Sequence, residues 1–354
     1  MRVLAINSSL SKGSQSRTEM MMNHLVEGMR EAGAEVEVVH LRDKKINYCI
    51  GCFTCITKTP GKCVHKDDMS NELFPKWLES DLVIYATPLF HHTVHAPMKT
   101  FIERTFPVCE PFIEQDDSGY WTHPSRHRQP EGVVLSVGGF FEESAFEGLS
   151  HYVNFMFHRG NTKLVAEIYR PGSHVITQSP FKHKLTDILD ATKQAGRELV
   201  QLMRISPETM ARIRQPIADV QSIKEIANTF WRTCIAEGIT PKTFDQKGMV
   251  PRPDSIGTYM TLMRLGFNSQ AAGDTKATLQ FDFTGEVEGS CYFTIEKGII
   301  EATSGTAEKP DLAVEAPFEV WMDIVTGKAD GTQMFMEGKF QAVGDISLMG
   351  LFGG

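Results

Sequence analysis

The chain has 354 residues, which is too long for one ordinary domain and predicts two. Its 41% hydrophobic and 23% charged residues are typical of a soluble globular protein, and no apolar run reaches the roughly 20 residues of a transmembrane helix. A net charge of −8 with scattered basic residues argues against nucleic-acid binding. The opening "MRVLAINSSL" lacks the features of a signal peptide, so we expect a cytoplasmic protein, in which disulfides are disfavoured.

The first two hundred residues alternate between strand-like and helix-like segments. Five apolar segments predict strands over 2–7, 35–41, 82–88, 132–140 and 163–172. The amphipathic or apolar segments that follow them predict helices over 16–33, 73–80, 98–106, 143–160 and 181–205. A polar loop separates the third helix from the fourth strand. This alternation predicts an α/β fold with a doubly wound, five-stranded parallel sheet.

The rest of the chain has a different pattern. Residues 206–250 predict a helical linker broken at Pro216 and Gly238. After it, an amphipathic helix is followed by alternating residues with glycine at the turns, which predicts antiparallel strands. The predicted domains are therefore 1–205, 206–250 (linker) and 251–354, the last an α+β domain.

Three loops that follow predicted strands suit a ligand with one anionic and one flat apolar end. Ligands of open α/β sheets bind beyond the carboxyl ends of the strands. Loop 7–18 is rich in hydroxyls and opens a helix, where free N–H groups suit a phosphate, although a capped serine-rich turn is an equally good interpretation. Loop 86–104 offers an apolar, partly aromatic edge, and segment 136–140 offers two glycines where a backbone can approach a ring. FMN has this shape.

These loops resemble known flavin-contact segments. "LAINSSLSKGSQSRT", "ATPLFHHTVHAPMKTFIER" and "LSVGGF" resemble those of the NAD(P)H-dependent FMN reductases, a branch of the flavodoxin-like fold, and the resemblance covers residues 1–205. It implies that FMN contacts two sets of residues. The phosphate set is Ser9, Ser14, Ser16, Arg17 and Thr18. The ring set is Pro88, Leu89, Phe90, His91, Ser136, Gly138 and Gly139.

The chain departs from that family's pattern in two places. Ser8 stands where the family usually has glycine, and His91 and His92 stand where an aromatic residue and a glycine are usual. His91, His92 and His95 are close in sequence, and we interpret them as loop histidines. A histidine that tunes the flavin and a metal trio are the alternatives.

Four of the seven cysteines, Cys49, Cys52, Cys55 and Cys63, have the spacing C-x2-C-x2-C-x7-C. Zinc sites usually use two separated pairs, whereas three close thiolates suit three corners of a cuboidal cluster, as in the opening of bacterial ferredoxin motifs. The residues alone leave open a cluster, a redox-active thiol or disulfide site, and a structural or zinc site. The other three cysteines are interpreted as small, at least partly buried residues.

The position of this run after the second strand, and its ending "KDDM", resemble the compact motif of iron–sulfur flavoproteins. That resemblance implies a 4Fe-4S cluster on the four cysteines, next to FMN. The two aspartates of the ending, Asp67 and Asp68, are predicted to cap the following helix.

The C-terminal segments "PDLAVEAPFEVWMDIVTGK" and "FMEGKFQAVGDISLMGLF" resemble the sterol carrier protein domain. This implies a five-stranded sheet whose helices enclose an apolar tunnel for a lipid-like ligand. Ordinary core packing remains the default interpretation for each candidate lining residue. The candidates are Phe318, Trp321, Met322, Ile324, Met334, Phe335, Met336, Leu348, Met349 and Phe352.

Together these features predict an FMN-dependent oxidoreductase. NAD(P)H or a reduced ferredoxin-type protein would supply electrons, the cluster would relay them singly, and the C-terminal domain would bind an apolar small molecule. The family resemblance also implies a homo-oligomer. Two alternatives remain: a lipid-type binding protein with a flavodoxin-like scaffold, and a thiol redox sensor.

Overall fold

The computed structural model describes residues 1–116, 119–160, 162–173, 176–177, 181–267 and 269–352. It does not describe the side chains of Ser14, Lys182, His183, Gln270, Ala271, Leu351 and Phe352. Contacts divide the chain into a first unit, Met1–Thr177 with Lys182–Ile217, and a second unit, Gln178–Phe181 with Ala218–Gly354. Within the described ranges, no helix is both long and apolar enough to cross a bilayer.

The first unit is built on a parallel sheet of five strands. The strands of this unit are β1 Arg2–Asn7, β2 Glu35–His40, β3 Leu82–Pro88, β4 Glu114–Gln115, β5 Trp121–Thr122, β6 Glu131–Val137 and β7 Leu164–Arg170. Strands β4 and β5 form a separate two-stranded sheet, and the other five lie in the order β2-β1-β3-β6-β7. This is the flavodoxin-like order, so the predicted fold class of this part is confirmed.

Helices cover both faces of the sheet. They are α1 Arg17–Glu31, α2 Phe74–Glu79, α3 Ala96–Glu103, α4 Glu147–Arg159, α5 Lys182–Leu202 and α6 Pro207–Arg214. Helix α2 follows a π-helical turn at Met69–Leu73, and its Pro75 occupies the first turn, where a missing N–H costs nothing. Helix α3 starts two residues earlier than predicted and ends at Glu103. The hairpin β4–β5 lies inside the segment predicted as a polar loop.

The two faces of the sheet have different packing. Side chains alternate along each strand, so Leu4 and Ile6 join one core together with residues of α2, α3 and α4. On the other face, α1 and α5 pack so closely that two glycines face the opposite helix backbone. A methyl group at Gly28 would lie 1.8 Å from the Lys193 carbonyl oxygen, and one at Gly196 would lie 2.1 Å from that of Leu25.

The second unit has a mixed sheet and its own helices. Its helices are α7 Val220–Ala236, α8 Pro241–Gln246, α9 Ile256–Gly266, α10 Ser269–Ala272, α11 Phe318–Val325 and α12 Gly331–Met336. Its strands are β8 Ala277–Thr284, β9 Gly289–Glu296, β10 Ile299–Ser304, β11 Leu312–Pro317 and β12 Gln341–Gly344. They lie in the order β10-β9-β8-β11-β12. The predicted antiparallel meander corresponds to β8–β10, and β11 adds to it parallel to β8.

An aromatic core holds the second unit together. Tyr259, Phe281 and Phe293 meet edge to face, with ring centroids 5.6–5.9 Å apart. Trp321 donates a hydrogen bond from Nε1 to the Tyr259 hydroxyl at 3.0 Å, which satisfies both buried polar groups.

Candidate functional site

The loop after β1 is folded around the N-terminus of α1. Ser16 caps this helix, because its hydroxyl oxygen accepts a hydrogen bond from the Glu19 backbone N–H at 3.1 Å. The Ser16 hydroxyl also donates to Ser9 Oγ at 2.9 Å, and Ser9, Ser16 and Thr18 are all buried. The predicted phosphate residues Ser9, Ser16, Arg17 and Thr18 therefore lie together at a helix N-terminus, while the side chain of Ser14 lies outside the described residues.

Arg42 and Glu19, which no sequence pattern identifies as site residues, hold this loop in place. Arg42 donates from Nη1 to the Ser11 carbonyl oxygen at 2.8 Å and to Glu19 Oε2 at 2.7 Å. Both ionic side chains are about nine-tenths buried, so solvent screens this pair little. Arg42 follows β2 and Glu19 is in the first turn of α1, so the pair depends on strand pairing that local sequence patterns do not reveal.

The loop after β3 makes a tight turn next to the first loop. Phe90 and Thr93 exchange both backbone hydrogen bonds, and the two residues between them, His91 and His92, have φ of 46° and 60°. This is the left-handed region in which glycine is usual. The backbones of His91 and His92 are therefore strained, and together they form a two-residue turn. His95 donates from Nδ1 to the Ser8 carbonyl oxygen at 2.9 Å, which joins the first two loops.

The loop after β6 packs against the second loop through a buried glycine. A methyl group at Gly138 would lie 3.0 Å from the Phe146 ring and 3.2 Å from Leu89 Cδ2. The Leu89 N–H also donates to the Val137 carbonyl oxygen at 2.8 Å. Ser136 is fully buried at the end of β6, and its hydroxyl has no hydrogen-bond partner among the described residues. Gly139, beside Gly138, is half-buried.

These three loops follow adjacent strands, β1, β3 and β6, at one edge of the sheet. They combine a hydroxyl-rich helix N-terminus, an exposed Phe90 ring and a glycine whose missing side chain keeps a narrow gap open. This donor set suits a phosphate at one end and a flat ring at the other. The residues present therefore fit FMN.

The cysteine loop, Asn47–Asp67, leaves the sheet after β2 and returns before α2. Three of its residues have left-handed backbones: Gly51, Phe53 and Gly61, with φ of 63°, 53° and 79°. These turns wrap the chain, and the Gly61 N–H donates to the Cys55 carbonyl oxygen at 2.9 Å. Glycine supplies two of the turns without steric cost, as predicted, whereas Phe53 is strained.

The four predicted cluster ligands, Cys49, Cys52, Cys55 and Cys63, line one cavity of about 360 Å³. Apolar side chains form much of its wall, and they are Ile50, Phe53, Val64 and Phe106. Cys49 and Cys52 are exposed at its mouth, Cys63 is half-buried and Cys55 is buried.

The thiols of this cavity influence one another. Burial, followed by the neighbouring Cys63 thiolate, raises the pKa of Cys55, and Cys49 and Cys52 contribute in the same direction. The hydroxyl and backbone N–H of Thr54 lower the pKa of Cys52. A positively charged metal core shared by all four thiolates would offset their mutual repulsion, and it would therefore keep them deprotonated.

A buried ion pair lies at the base of the cysteine loop. Arg104, immediately after α3, donates to both carboxylate oxygens of Asp67, at 2.7 and 3.0 Å. Hydrogen bonds from Arg104, Asn47 and Ser70 outweigh the burial of Asp67 and hold its pKa well below its usual range. The bond from the Ser70 N–H is the capping contact predicted for Asp67. Asp68 makes no such cap, and its carboxylate instead accepts from the Lys45 N–H at 2.6 Å.

Within the described part of the chain, no three His, Cys, Asp or Glu side chains converge to hold a single metal ion, which leaves no support for a metal trio at His91, His92 and His95. A cluster differs from a single ion because each iron takes its own thiolate, so its ligands surround a volume. Two buried nitrogen atoms beside the thiols, His65 Nε2 and Arg104 Nε, have no hydrogen-bond partner among the described residues. Donors next to four thiols suit a negatively charged cluster, and the residues present therefore fit one.

Comparison with known proteins identifies the family. Residues 1–123 match the family model of NADPH-dependent FMN reductase, and residues 266–353 match that of the SCP-2 sterol transfer family. An iron-sulfur flavoprotein of Methanocaldococcus jannaschii is 32% identical over 208 residues, which cover 58% of this chain and 98% of the relative. The chain belongs to the iron–sulfur flavoprotein family.

Two other relatives match this chain over shorter stretches. One, from Archaeoglobus fulgidus, is 48% identical over 87 residues, which are 25% of this chain and 38% of the relative. A second protein of Methanocaldococcus jannaschii is 33% identical over 122 residues, which are 34% of this chain and 55% of the relative. Both are named iron-sulfur flavoproteins, and the chain thus spans about half or less of the length of these two.

In the second unit, the described candidate lining residues fall into three groups: buried, partly buried and exposed. Phe318, Trp321 and Met322 are buried core residues, which agrees with their default interpretation. Around the core lie the partly buried Ile324, Met334, Leu348 and Met349, whereas Phe335 and Met336 are exposed on α12. The side chain of Phe352 lies outside the described residues.

Proposed function

We propose that this chain is an FMN-dependent oxidoreductase in which Cys49, Cys52, Cys55 and Cys63 hold a 4Fe-4S cluster. The observation that carries the proposal is the convergence of the four thiols on one largely apolar cavity, beside buried nitrogens that have no hydrogen-bond partner among the described residues. An apolar shell and nearby donors are the means by which proteins stabilise such clusters and tune their potentials.

The three loops at the carboxyl edge of the sheet would hold FMN. The phosphate would contact Ser9, Ser14, Ser16, Arg17 and Thr18, where α1 offers its free N–H groups and positive dipole end. The ring would contact Pro88, Leu89, Phe90, His91, Ser136, Gly138 and Gly139. FMN supplies hydride and single-electron chemistry when it is bound, so the protein's own task is to position a donor and exclude water.

Helix α3 connects the two sites. It begins just after the Phe90–Thr93 turn of the candidate flavin site and ends at Glu103, which lines the cysteine cavity. A helix of eight residues is about 12 Å long. The two groups would thus be held by one rigid element of a single unit, an arrangement that favours electron transfer between them.

The proposal also covers the electron donor, the ligand of the second unit, the oligomeric state and the cellular location. NAD(P)H or a ferredoxin-type protein would reduce the enzyme, and the second unit would bind an apolar, lipid-like molecule, in keeping with its family. Exposed apolar side chains such as Phe112, Ile113 and Trp121 favour a homo-oligomer in which they are covered. None of the seven cysteines, all of which lie in the described ranges, forms a disulfide, which suits the reducing cytoplasm.

Anaerobic purification with quantitation of iron, acid-labile sulfide and flavin tests this proposal. We expect about four irons, four sulfides and one FMN per chain, from the composition of a 4Fe-4S cluster and one flavin site. Cys52→Ser should lose most of the iron and keep the flavin. Cys109→Ser is the matched control, because Cys109 lies in the same unit outside the cavity, and it should retain both.

Other results would favour the alternatives. A colourless protein that carries extracted lipid would replace the oxidoreductase by a binding protein. Flavin without iron, together with reversible disulfides among the four cysteines, would replace the cluster by a thiol redox sensor.

A further inference from the structure

Arg104 is a buried cation that joins the two ends of the cysteine loop. Its side chain is 1% exposed, as is that of Asp67. Besides Asp67, it donates from Nη1 to the Asn47 carbonyl oxygen and from Nη2 to Ser70 Oγ at 2.9 Å. One guanidinium thus contacts the first residue of the loop, the last residue and the turn that follows.

Asp67 completes this closure from the other side. Its Oδ2 accepts from the Asn47 N–H at 2.9 Å and from the Asn47 side-chain amide at 3.2 Å, while Oδ1 accepts from the Ser70 N–H at 3.2 Å. The loop therefore leaves and re-enters the fold at one point. Removing one partner of such a pair is costly because it leaves an uncompensated buried charge.

Arg104 also lies close to the thiols, because the Asn47 carbonyl oxygen that it contacts is two residues before Cys49. Burial lowers the pKa of Arg104, but the Asp67 carboxylate and then the Cys63 thiolate raise it above its usual value. The remaining donor of the guanidinium, Nε–H, has no acceptor within the described residues. A positive charge beside a ligand sulfur favours the more negative, reduced form of a cluster.

We propose that Arg104 and Asp67 are a positioning pair with two separable effects: they keep the cysteine loop closed, and their charges set the midpoint potential of the cluster. The first effect is independent of iron. The second rests on the proposed function, and the two halves of the test are therefore done on different forms of the protein.

Closure of the loop is measured on reduced, iron-free protein by alkylation with iodoacetamide and mass spectrometry. Cys55 is 8% exposed and reports opening, whereas the exposed Cys52 provides an internal reference. In Arg104→Gln, alkylation of Cys55 relative to Cys52 should be at least about tenfold faster, because the loop opens more easily once the buried pair is broken. Arg104→Lys should also open the loop, because lysine lacks the planar fork.

Arg170→Lys is the matched control for the loss of a buried arginine. Arg170 is 2% exposed and donates to the Ile213 and Gln215 carbonyl oxygens, each at 2.8 Å, away from the cysteine loop. In Arg170→Lys, Cys55 should be alkylated at the wild-type rate. If Arg104→Gln fails to fold, which faster alkylation of the half-buried Cys109 would reveal, Asp67→Asn is measured in its place with the same expectation.

The charge effect is measured on iron-loaded protein by a redox titration followed by electron paramagnetic resonance. Arg104→Gln should lower the midpoint potential and Asp67→Asn should raise it. A tenfold change in the one-electron equilibrium corresponds to about 59 mV. Arg104→Lys, which keeps the charge, should stay near the wild-type potential. A purely structural role would not produce shifts of opposite sign.

The outcomes separate this inference from the proposed function. Unchanged Cys55 alkylation in both Arg104→Gln and Asp67→Asn would overturn the positioning role, whether or not the wild type holds iron. Wild-type protein without iron would refute the cluster and with it the charge effect. Iron-loaded variants with equal potentials would overturn the charge effect alone.

Discussion

The contact between α1 and α5 provides a quantitative test of the fold of the first unit. The Gly28→Ala methyl group would lie 1.8 Å from the Lys193 carbonyl oxygen and 2.8 Å from its carbonyl carbon. Real Cβ contacts essentially never fall below 3.0 Å, so α5 must move by about 1.2 Å. The obstacle is backbone, which cannot rotate away. We therefore expect Gly28→Ala to lose about 3 kcal/mol, the upper end of the usual cost of overpacking.

Hydrogen exchange of α1 and α5 peptides, measured by mass spectrometry, is the suitable assay. A chain with two units need not unfold in one step, so a single midpoint would mix their stabilities. Since 1.4 kcal/mol is a factor of ten, protection in these helices should fall about 100-fold. Because Ser16 caps α1 and Thr18 lies in its first turn, FMN affinity should fall in the same variant.

A matched substitution separates steric overlap from helix propensity. Gly257 is the second residue of α9 in the second unit, and the nearest atom to a methyl group there, Ser255 Oγ, is 3.9 Å away. Gly257→Ala should therefore be neutral or stabilise by up to about 1 kcal/mol. If α1 of Gly28→Ala kept the hydrogen-exchange protection of the wild type, the close approach of the α1 and α5 backbones would be refuted.

Two further variants test other parts of the first unit. Glu198 accepts hydrogen bonds from the Ser206 N–H and the Thr209 hydroxyl, each at 2.7 Å, and these outweigh its burial and lower its pKa from the ordinary 4.5. Its ionised form stabilises the folded state, so Glu198→Gln should cost about 2 kcal/mol at neutral pH. That difference should shrink as the pH falls below 4.5 in acid-unfolding curves, and a pH-independent difference would contradict the assignment. Gly138→Val should weaken FMN binding at least about tenfold in a fluorescence titration, because its side chain would fill the gap between Leu89 and Phe146. Equal affinity with an unchanged circular dichroism spectrum would exclude a close approach of flavin to Gly138.

The sequence patterns predicted the parallel sheet well because its strands are buried on both faces. Segments such as 82–88 are continuous apolar runs, and these are the clearest strand signals. The hairpin β4–β5 was missed because each strand has two residues, too few for any alternation. The observed helix boundaries differ from the predicted ones by a few residues where π or 3-10 turns precede the regular helix, as before α2 and α4.

The sequence predicts which residues form the candidate sites, but it does not predict the ion pairs that hold the site loops in place. Cysteine spacing and loop composition identify residues that are close in sequence. Arg104 and Asp67 are 37 residues apart, and Arg42 and Glu19 are 23 apart. Such partners meet only through the topology of the sheet. Asp67 was assigned to a helix cap from its local sequence, and that bond exists, but it is a minor part of the contacts that the carboxylate makes.

The meeting of Asn47 and Asp67 makes the cysteine loop a detachable module. A chain that leaves a sheet and returns to the same point can be lengthened, shortened or deleted without changing the register of the strands on either side. The entropy of closing such a loop grows only slowly with its length, so the interval between Cys55 and Cys63 can change in length at a small entropic cost. In the same way, a short turn between residues 47 and 67 would convert this first unit into a plain flavodoxin-like domain. Gain or loss of the thiol site would then be a local event in the history of the fold.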